Sequence, residues 1–158
     1  MDGYWENFKA PFLCFAGFSG VGKTTLVEKL AARFRDEDIR VGYYKHDSHQ
    51  FKMDKTGKDT ARVREAGAGI VAINDPTHFG VLADNDFKQL TITHALERCD
   101  CILIEGYKQS PFNKIVFLDA EGKLPIPSDS RGICAIVHQG TGVLEPFIEQ
   151  GIPLFHRD

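Results

Sequence analysis

Gly17-Phe18-Ser19-Gly20-Val21-Gly22-Lys23-Thr24 reads G-x-x-x-x-G-K-T, the spacing of a phosphate-binding P-loop. Upstream, Pro11-Phe12-Leu13-Cys14-Phe15-Ala16 is short and apolar, as a strand buried on both faces should be. Downstream, Leu26, Leu30 and Phe34 recur every fourth residue, which marks one face of a helix. A strand, a glycine-rich turn and a helix are the context that the motif requires. Gly17, Gly20 and Gly22 let successive backbone N–H groups turn toward phosphate oxygens. The helix N-terminus adds its partial positive charge. Lys23 is placed to reach the β- and γ-phosphates, and the Thr24 hydroxyl to bind Mg²⁺. A glycine-rich turn with a chance lysine is the bland alternative; it needs both flanks to coincide by accident.

The surroundings suit one soluble domain spanning 1–158. Of the 158 residues, 42% are hydrophobic and 26% charged, ordinary values for a globular protein. The net charge of −3 gives no reason to expect nucleic-acid or anionic-membrane binding. No apolar run approaches a membrane span, and the first residues lack the basic and apolar regions of a signal peptide. A cytoplasmic protein is expected. Cys14, Cys99, Cys101 and Cys134 lie in or beside apolar runs, as buried reduced cysteines do. Cys99 and Cys101 lack the C-x-x-C spacing of a zinc or redox pair.

Taken in order, the chain alternates strands and helices. The first helix should end in Arg35-Asp36-Glu37-Asp38, followed by a strand over 39–44. Lys45-His46-Asp47-Ser48-His49 then stands at that strand's carboxyl end, where open α/β sheets bind ligands. Asp47 reads as a residue that touches Mg²⁺ or orients the attacking water; the alternative is a turn-forming Asp. His46 and His49 read as solvated or hydrogen-bonding. Residues 50–58 look like a mobile loop, and Thr56-Gly57-Lys58-Asp59 resembles a capping box opening a helix. Lys55, Lys58 and Arg62 fall on one side of it, either as a solvated stripe or as a seat for a second anion. Strands over 70–73 and 79–83, joined by Asn74-Asp75-Pro76, suggest a hairpin at a sheet edge and a dimer contact. A helix over 86–98 precedes Cys101-Ile102-Leu103-Ile104-Glu105-Gly106, four apolar residues ending in an acid. Glu105 stands at the ligand-binding end of that strand and Asp100 at the opposite end, so Glu105 is the acid expected near Mg²⁺. Further strands are expected over 114–118 and 133–137, a loop over 120–132, a short helix over 143–150 and an edge strand at Leu154-Phe155. The pattern is α/β: a P-loop NTPase three-layer sandwich, with a mostly parallel sheet and an added edge hairpin.

The motifs together carry a family resemblance. G-F-S-G-V-G-K-T-T-L, then K-H-D-S-H, then D-x-x-G-K-D-T-x-R-x-x-x-A-G-A at 54–68, then I-L-I-E-G-Y-K at 102–108 resemble molybdopterin-guanine dinucleotide biosynthesis protein B. The match in order runs from about Phe12 to Val116. The resemblance implies a GTP-binding protein with weak GTPase activity and a homodimer built on an extended sheet. It also implies a helper for the partner enzyme, a molybdopterin guanylyltransferase, that attaches GMP to the molybdopterin cofactor. Carried over residue by residue, it assigns nucleotide binding to Gly17, Phe18, Ser19, Gly20, Val21, Gly22, Lys23, Thr24 and Thr25. It leaves Lys23, Asp47 and Glu105 as the catalytic candidates, and Thr24, Asp47 and Glu105 as the metal candidates. Phe18 replaces the lysine that related dimeric ATPases place after the first glycine. Asn113-Lys114 lacks the acid two residues on that grips guanine in ordinary GTPases. GTP over ATP therefore rests on the resemblance. A small-molecule kinase using ATP is the competing reading, and a metal-insertion GTPase ranks behind it.

Overall fold

The computed structural model describes residues 9–46, 57, 59–126, 131–140, 142 and 144–157, with backbone alone at 89–91. The expectations for Asp47, His49, Lys55 and Lys58, and for most of the 50–58 loop and its capping box, lie outside the described residues. In chain order the elements are β1 (Phe12–Ala16), α1 (Lys23–Asp36), β2 (Val41–Lys45), α2 (Asp59–Glu65), β3 (Ile70–Asn74) and β4 (Phe79–Ala83). They continue with α3 (Lys88–Leu96), β5 (Cys101–Glu105), β6 (Lys114–Phe117), β7 (Ile133–His138), α4 (Glu145–Glu149) and β8 (Leu154–His156). The described residues divide into two compact units, one from within 1–46 and 98–158, the other from within 47–97.

In the first unit six strands form a sheet in the order β2-β5-β1-β6-β7-β8. Every pairing is parallel. β1 is flanked by β5 and β6, so the loop that leaves it opens at the middle of the carboxyl rim. Alternation along the strands sorts the core into two faces. Phe15, Leu103 and Phe117 pack with Val27 of α1 and with Val21 of the loop. Ala16, Val116 and Ile136 pack on the other side with Phe147 of α4, supported by Ile126 and Leu118. Helix, sheet and helix are the three expected layers. Pro146 falls in the first turn of α4, where its missing N–H leaves no helical bond unmade.

The second unit holds the expected hairpin. β3 and β4 pair antiparallel, Ile70 opposite Ala83 and Asn74 opposite Phe79, as a two-stranded sheet of their own. Asp75 makes the turn: its Oδ1 accepts the N–H groups of Thr77 and His78, both at 2.7 Å, the local bonding that suits Asp to turns. The expected helix over 86–98 is shorter, because Asn85–Phe87 forms a 3₁₀ turn before α3 begins at Lys88.

One core assignment is corrected. Cys14 is buried, but Cys99 and Cys101 are half-buried and Cys134 is exposed. Cys134 falls at a register shift in β7: Lys114 pairs with Ile133 and Ile115 with Ala135, so Cys134 is the extra residue between the two pairs, and Ile133 instead packs on the cluster under α4. Its Sγ is 3.5 Å from the Gly132 carbonyl.

Candidate phosphate-binding site

The loop after β1 folds back on itself because its glycines allow nothing else in the space. A Cβ at Gly17 would stand 2.8 Å from Val21 Cγ2 and 3.0 Å from Phe117 Cβ. Gly22 has φ +85° and caps α1 in the left-handed region, which side chains disfavour. Gly22 offers no side chain to cap the first turn of α1, and no acid lies in that turn. The opening N–H groups of a 14-residue helix are thus left for a ligand. Lys23 curls over the loop, its Nζ donating to the Phe18 carbonyl at 2.6 Å. Burial pushes the Lys23 ammonium below its ordinary value; Glu105 pulls it back up, and Lys108 and Lys45 push it down. Thr24 and Thr25 are exposed at the start of the helix.

Glu105 arrives from the neighbouring strand. It pairs in register with Phe15 of β1 and Lys45 of β2. Alternation places it on the face of Leu103, which packs against Val27 of α1. Glu105 is 5% exposed, and its Oε1 is buried without a hydrogen-bond partner among the described residues. A buried carboxylate oxygen left unpaired is costly, and a cation beside the phosphates would satisfy it. The donor set fits Mg²⁺, which takes carboxylate oxygens together with substrate phosphates. Burial, then the charge of the Glu105 carboxylate and a hydrogen bond to it, raise the Tyr43 hydroxyl to about 12, so Tyr43 meets this carboxylate while its Oε1 stays open among the described residues.

Asp100 behaves as its position requires. At the far end of β5 it forms a fork with Arg40, Nε to Oδ2 at 3.1 Å and Nη2 to Oδ1 at 3.0 Å. The Arg40 N–H adds a third bond at 2.8 Å. These bonds lower the Asp100 carboxyl to about 2. It ties β2 to β5 away from the loop, so Glu105 is the acid on the rim.

Further residues surround Glu105 and the loop. Gly106, with φ +111°, lets the chain pass His46, whose carbonyl would lie 2.8 Å from an added Cβ. Tyr107 follows at φ +48° and stacks on the His46 ring at 4.5 Å between centroids. The His46 N–H donates to the Glu105 carbonyl at 2.8 Å. The chain therefore enters the K-H-D-S-H stretch held against the end of β5. Lys108 and Lys123 lie 5.5 and 5.7 Å from the Phe18 ring centroid. Tyr107 and Lys108 were visible as the end of I-L-I-E-G-Y-K, whereas Lys123 sits in a loop with no local signal. Arg157, just beyond β8, donates from Nη1 to the Val21 carbonyl inside the loop. Lys114, which the guanine-reading comparison singled out, stands at the start of β6. It is fully buried and donates to the carbonyls of Ser110 and Arg131 at 2.5 and 2.7 Å; it holds two loops together.

The structure thus brings Gly17 through Thr25 and Glu105 to one rim, with Asp47 outside the described residues. A parallel sheet with this loop on a central strand defines the class, a P-loop α/β nucleotide-binding fold. The profile of the family described as molybdopterin guanine dinucleotide synthesis protein B matches residues 12–139. The chain belongs to that family. It is 35% identical over 122 residues to the molybdopterin-guanine dinucleotide biosynthesis adapter protein of Escherichia coli, spanning 73% of this chain and 70% of that one. With the Haemophilus influenzae adapter protein it shares 33% identity over 135 residues, 82% of this chain and 75% of the other. The crystal structure of Bacillus subtilis MobB matches with a TM-score of 0.71 at 28% identity, covering 92% of this chain and 89% of that one.

Proposed function

We propose that this chain binds Mg²⁺-GTP in the loop from Gly17 to Thr25 and acts as a nucleotide-gated adapter in molybdopterin guanine dinucleotide synthesis. Its partner would be the enzyme that attaches GMP to molybdopterin. The observation that carries the nucleotide is the pairing of a glycine-capped α1 N-terminus and folded-back Lys23 with the buried Oε1 of Glu105, which has no hydrogen-bond partner among the described residues. The adapter role is supported by family membership and by the adapter relatives. The choice of GTP is supported by the family motifs alone.

The phosphates would lie against the N–H groups of the loop and the Lys23 ammonium. Thr24 and Glu105 would hold the metal, and Asp47 is proposed as a further ligand. Mg²⁺, when bound, neutralises charge on the β- and γ-phosphate oxygens. Asp47 is the residue proposed to orient water. An arginine finger is commonly worth about 10³- to 10⁵-fold in rate, and no residue here is assigned that part. Slow hydrolysis is expected, well below the roughly 1–100 per second of kinases. Exposed Ile70 and Phe79 share one face of the hairpin, 47% and 72% accessible, and support a homodimer that covers them.

The test is guanine dinucleotide formation by the partner guanylyltransferase, given molybdopterin and Mg²⁺-GTP, with and without the chain. Stimulation by the wild type and none by Lys23→Ala is expected. Equal stimulation by both would assign the helper role to something other than nucleotide binding.

A further inference from the structure

We propose that Arg157 is a positioning residue of the phosphate-binding loop, holding the Val21–Gly22 peptide so that the Gly22 N–H faces the ligand. The proposal rests on the reading of that loop as a nucleotide site. Three observations meet at one peptide unit. First, Arg157 Nη1 donates to the Val21 carbonyl across 136 residues of sequence. Second, the guanidinium occupies the space that a side chain at position 22 would need: an added Cβ would lie 2.9 Å from Nη1 and 3.3 Å from Cζ. Third, the Arg157 N–H donates to the His138 carbonyl at 2.7 Å, fixing its backbone to the end of β7. The arginine is therefore held at its base by the sheet and at its tip by the loop.

The consequence follows from peptide geometry. In a trans peptide the C=O and the N–H point in opposite directions. A donor that fixes the Val21 oxygen on one side fixes the Gly22 N–H on the other. Gly22 caps α1 at φ +85°, so its N–H is one of the opening donors of the loop and helix. A charged donor on the carbonyl also polarises the same peptide and strengthens its N–H as a donor. Arg157 has no carboxylate partner among the described residues, so its charge adds to the positive field around the phosphates. It acts through the loop and is not assigned contact with the transferred group.

Arg157→Met keeps the length and loses the donor; Arg157→Lys keeps a charged donor. Titration calorimetry with Mg²⁺-GTP and Mg²⁺-GDP is compared across wild type, both variants and Lys23→Ala, beside thermal unfolding without nucleotide. Arg157→Met is expected to weaken both nucleotides about 10-fold, the size of one charge-assisted hydrogen bond. Arg157→Lys should recover most of that loss, and the nucleotide-free unfolding midpoint should stay close to wild type. Wild-type affinity in Arg157→Met would overturn the proposal. So would a lowered unfolding midpoint with unchanged affinity, which would make Arg157 only a tether for β8. Wild-type protein that binds no nucleotide, or binds it equally in Lys23→Ala, would overturn the loop reading itself and this proposal with it.

Discussion

Among the described residues the Oε1 of Glu105 is buried without a hydrogen-bond partner, and a group in that state costs the fold about 1–3 kcal/mol until something binds it. Glu105→Gln replaces the charge with an amide that is cheaper to bury. The ligand-free variant should unfold at a higher denaturant midpoint, while the Mg²⁺ dependence of nucleotide binding is lost. A lower midpoint would mean that the carboxylate already has its partner within the fold. Gly22 is constrained twice, by its φ of +85° and by the Arg157 guanidinium behind it. Gly22→Ala should cost about 1–2 kcal/mol for the left-handed backbone alone. It should also abolish phosphate binding, which unfolding and calorimetric measurements on one preparation would separate. The loop residues and Glu105 were legible in sequence because each follows a local rule, glycine spacing or an acid ending an apolar run. Arg157 and Lys123 were not: their relation to the loop arises only from the order in which β6, β7 and β8 lie beside β1.

At the scale of elements, the starts of β2 and β5 are joined by the Arg40–Asp100 fork. The Asp100 carboxyl lies at about 2, lowered first by the Arg40 side chain and then by the Arg40 N–H. An unfolded Asp titrates near ~3.9, so the folded value is the lower one. The stabilisation is fully present above about pH 4 and is lost as pH falls toward the folded value. Asp100→Asn should therefore make the acid limb of the unfolding curve shallower between about pH 4 and pH 2, and an unchanged limb would assign acid sensitivity elsewhere. The parallel strands were readable because strands covered on both faces are apolar throughout. The hairpin was readable from Asn74-Asp75-Pro76, since Asp75 builds the turn with its own side chain. The start of α3 was not: Asn85–Phe87 takes a tighter 3₁₀ turn that a helical periodicity cannot distinguish from a first α turn. The exposure of Cys134 was equally hidden, because the register shift that makes it the extra residue of β7 breaks the strand alternation and leaves no mark in the sequence.

Across the whole molecule, the described residues contain no helix long and apolar enough to cross a membrane. The β3–β4 hairpin shows Ile70 and Phe79 to solvent on one face, beyond what a single scattered apolar residue explains. If a second copy covers them, Ile70→Asp with Phe79→Asp should shift the sedimenting species from dimer to monomer while leaving Mg²⁺-GTP affinity within about 3-fold. A wild-type monomer would remove the hairpin from the dimer reading. The most direct test of the central claim is calorimetric titration of the wild-type chain with GTP and with ATP, each with Mg²⁺, beside Lys23→Ala. GTP bound at least about 10-fold more tightly than ATP, with binding lost in Lys23→Ala, is the expected result. ATP preferred over GTP, or GTP binding unchanged in Lys23→Ala, would contradict it.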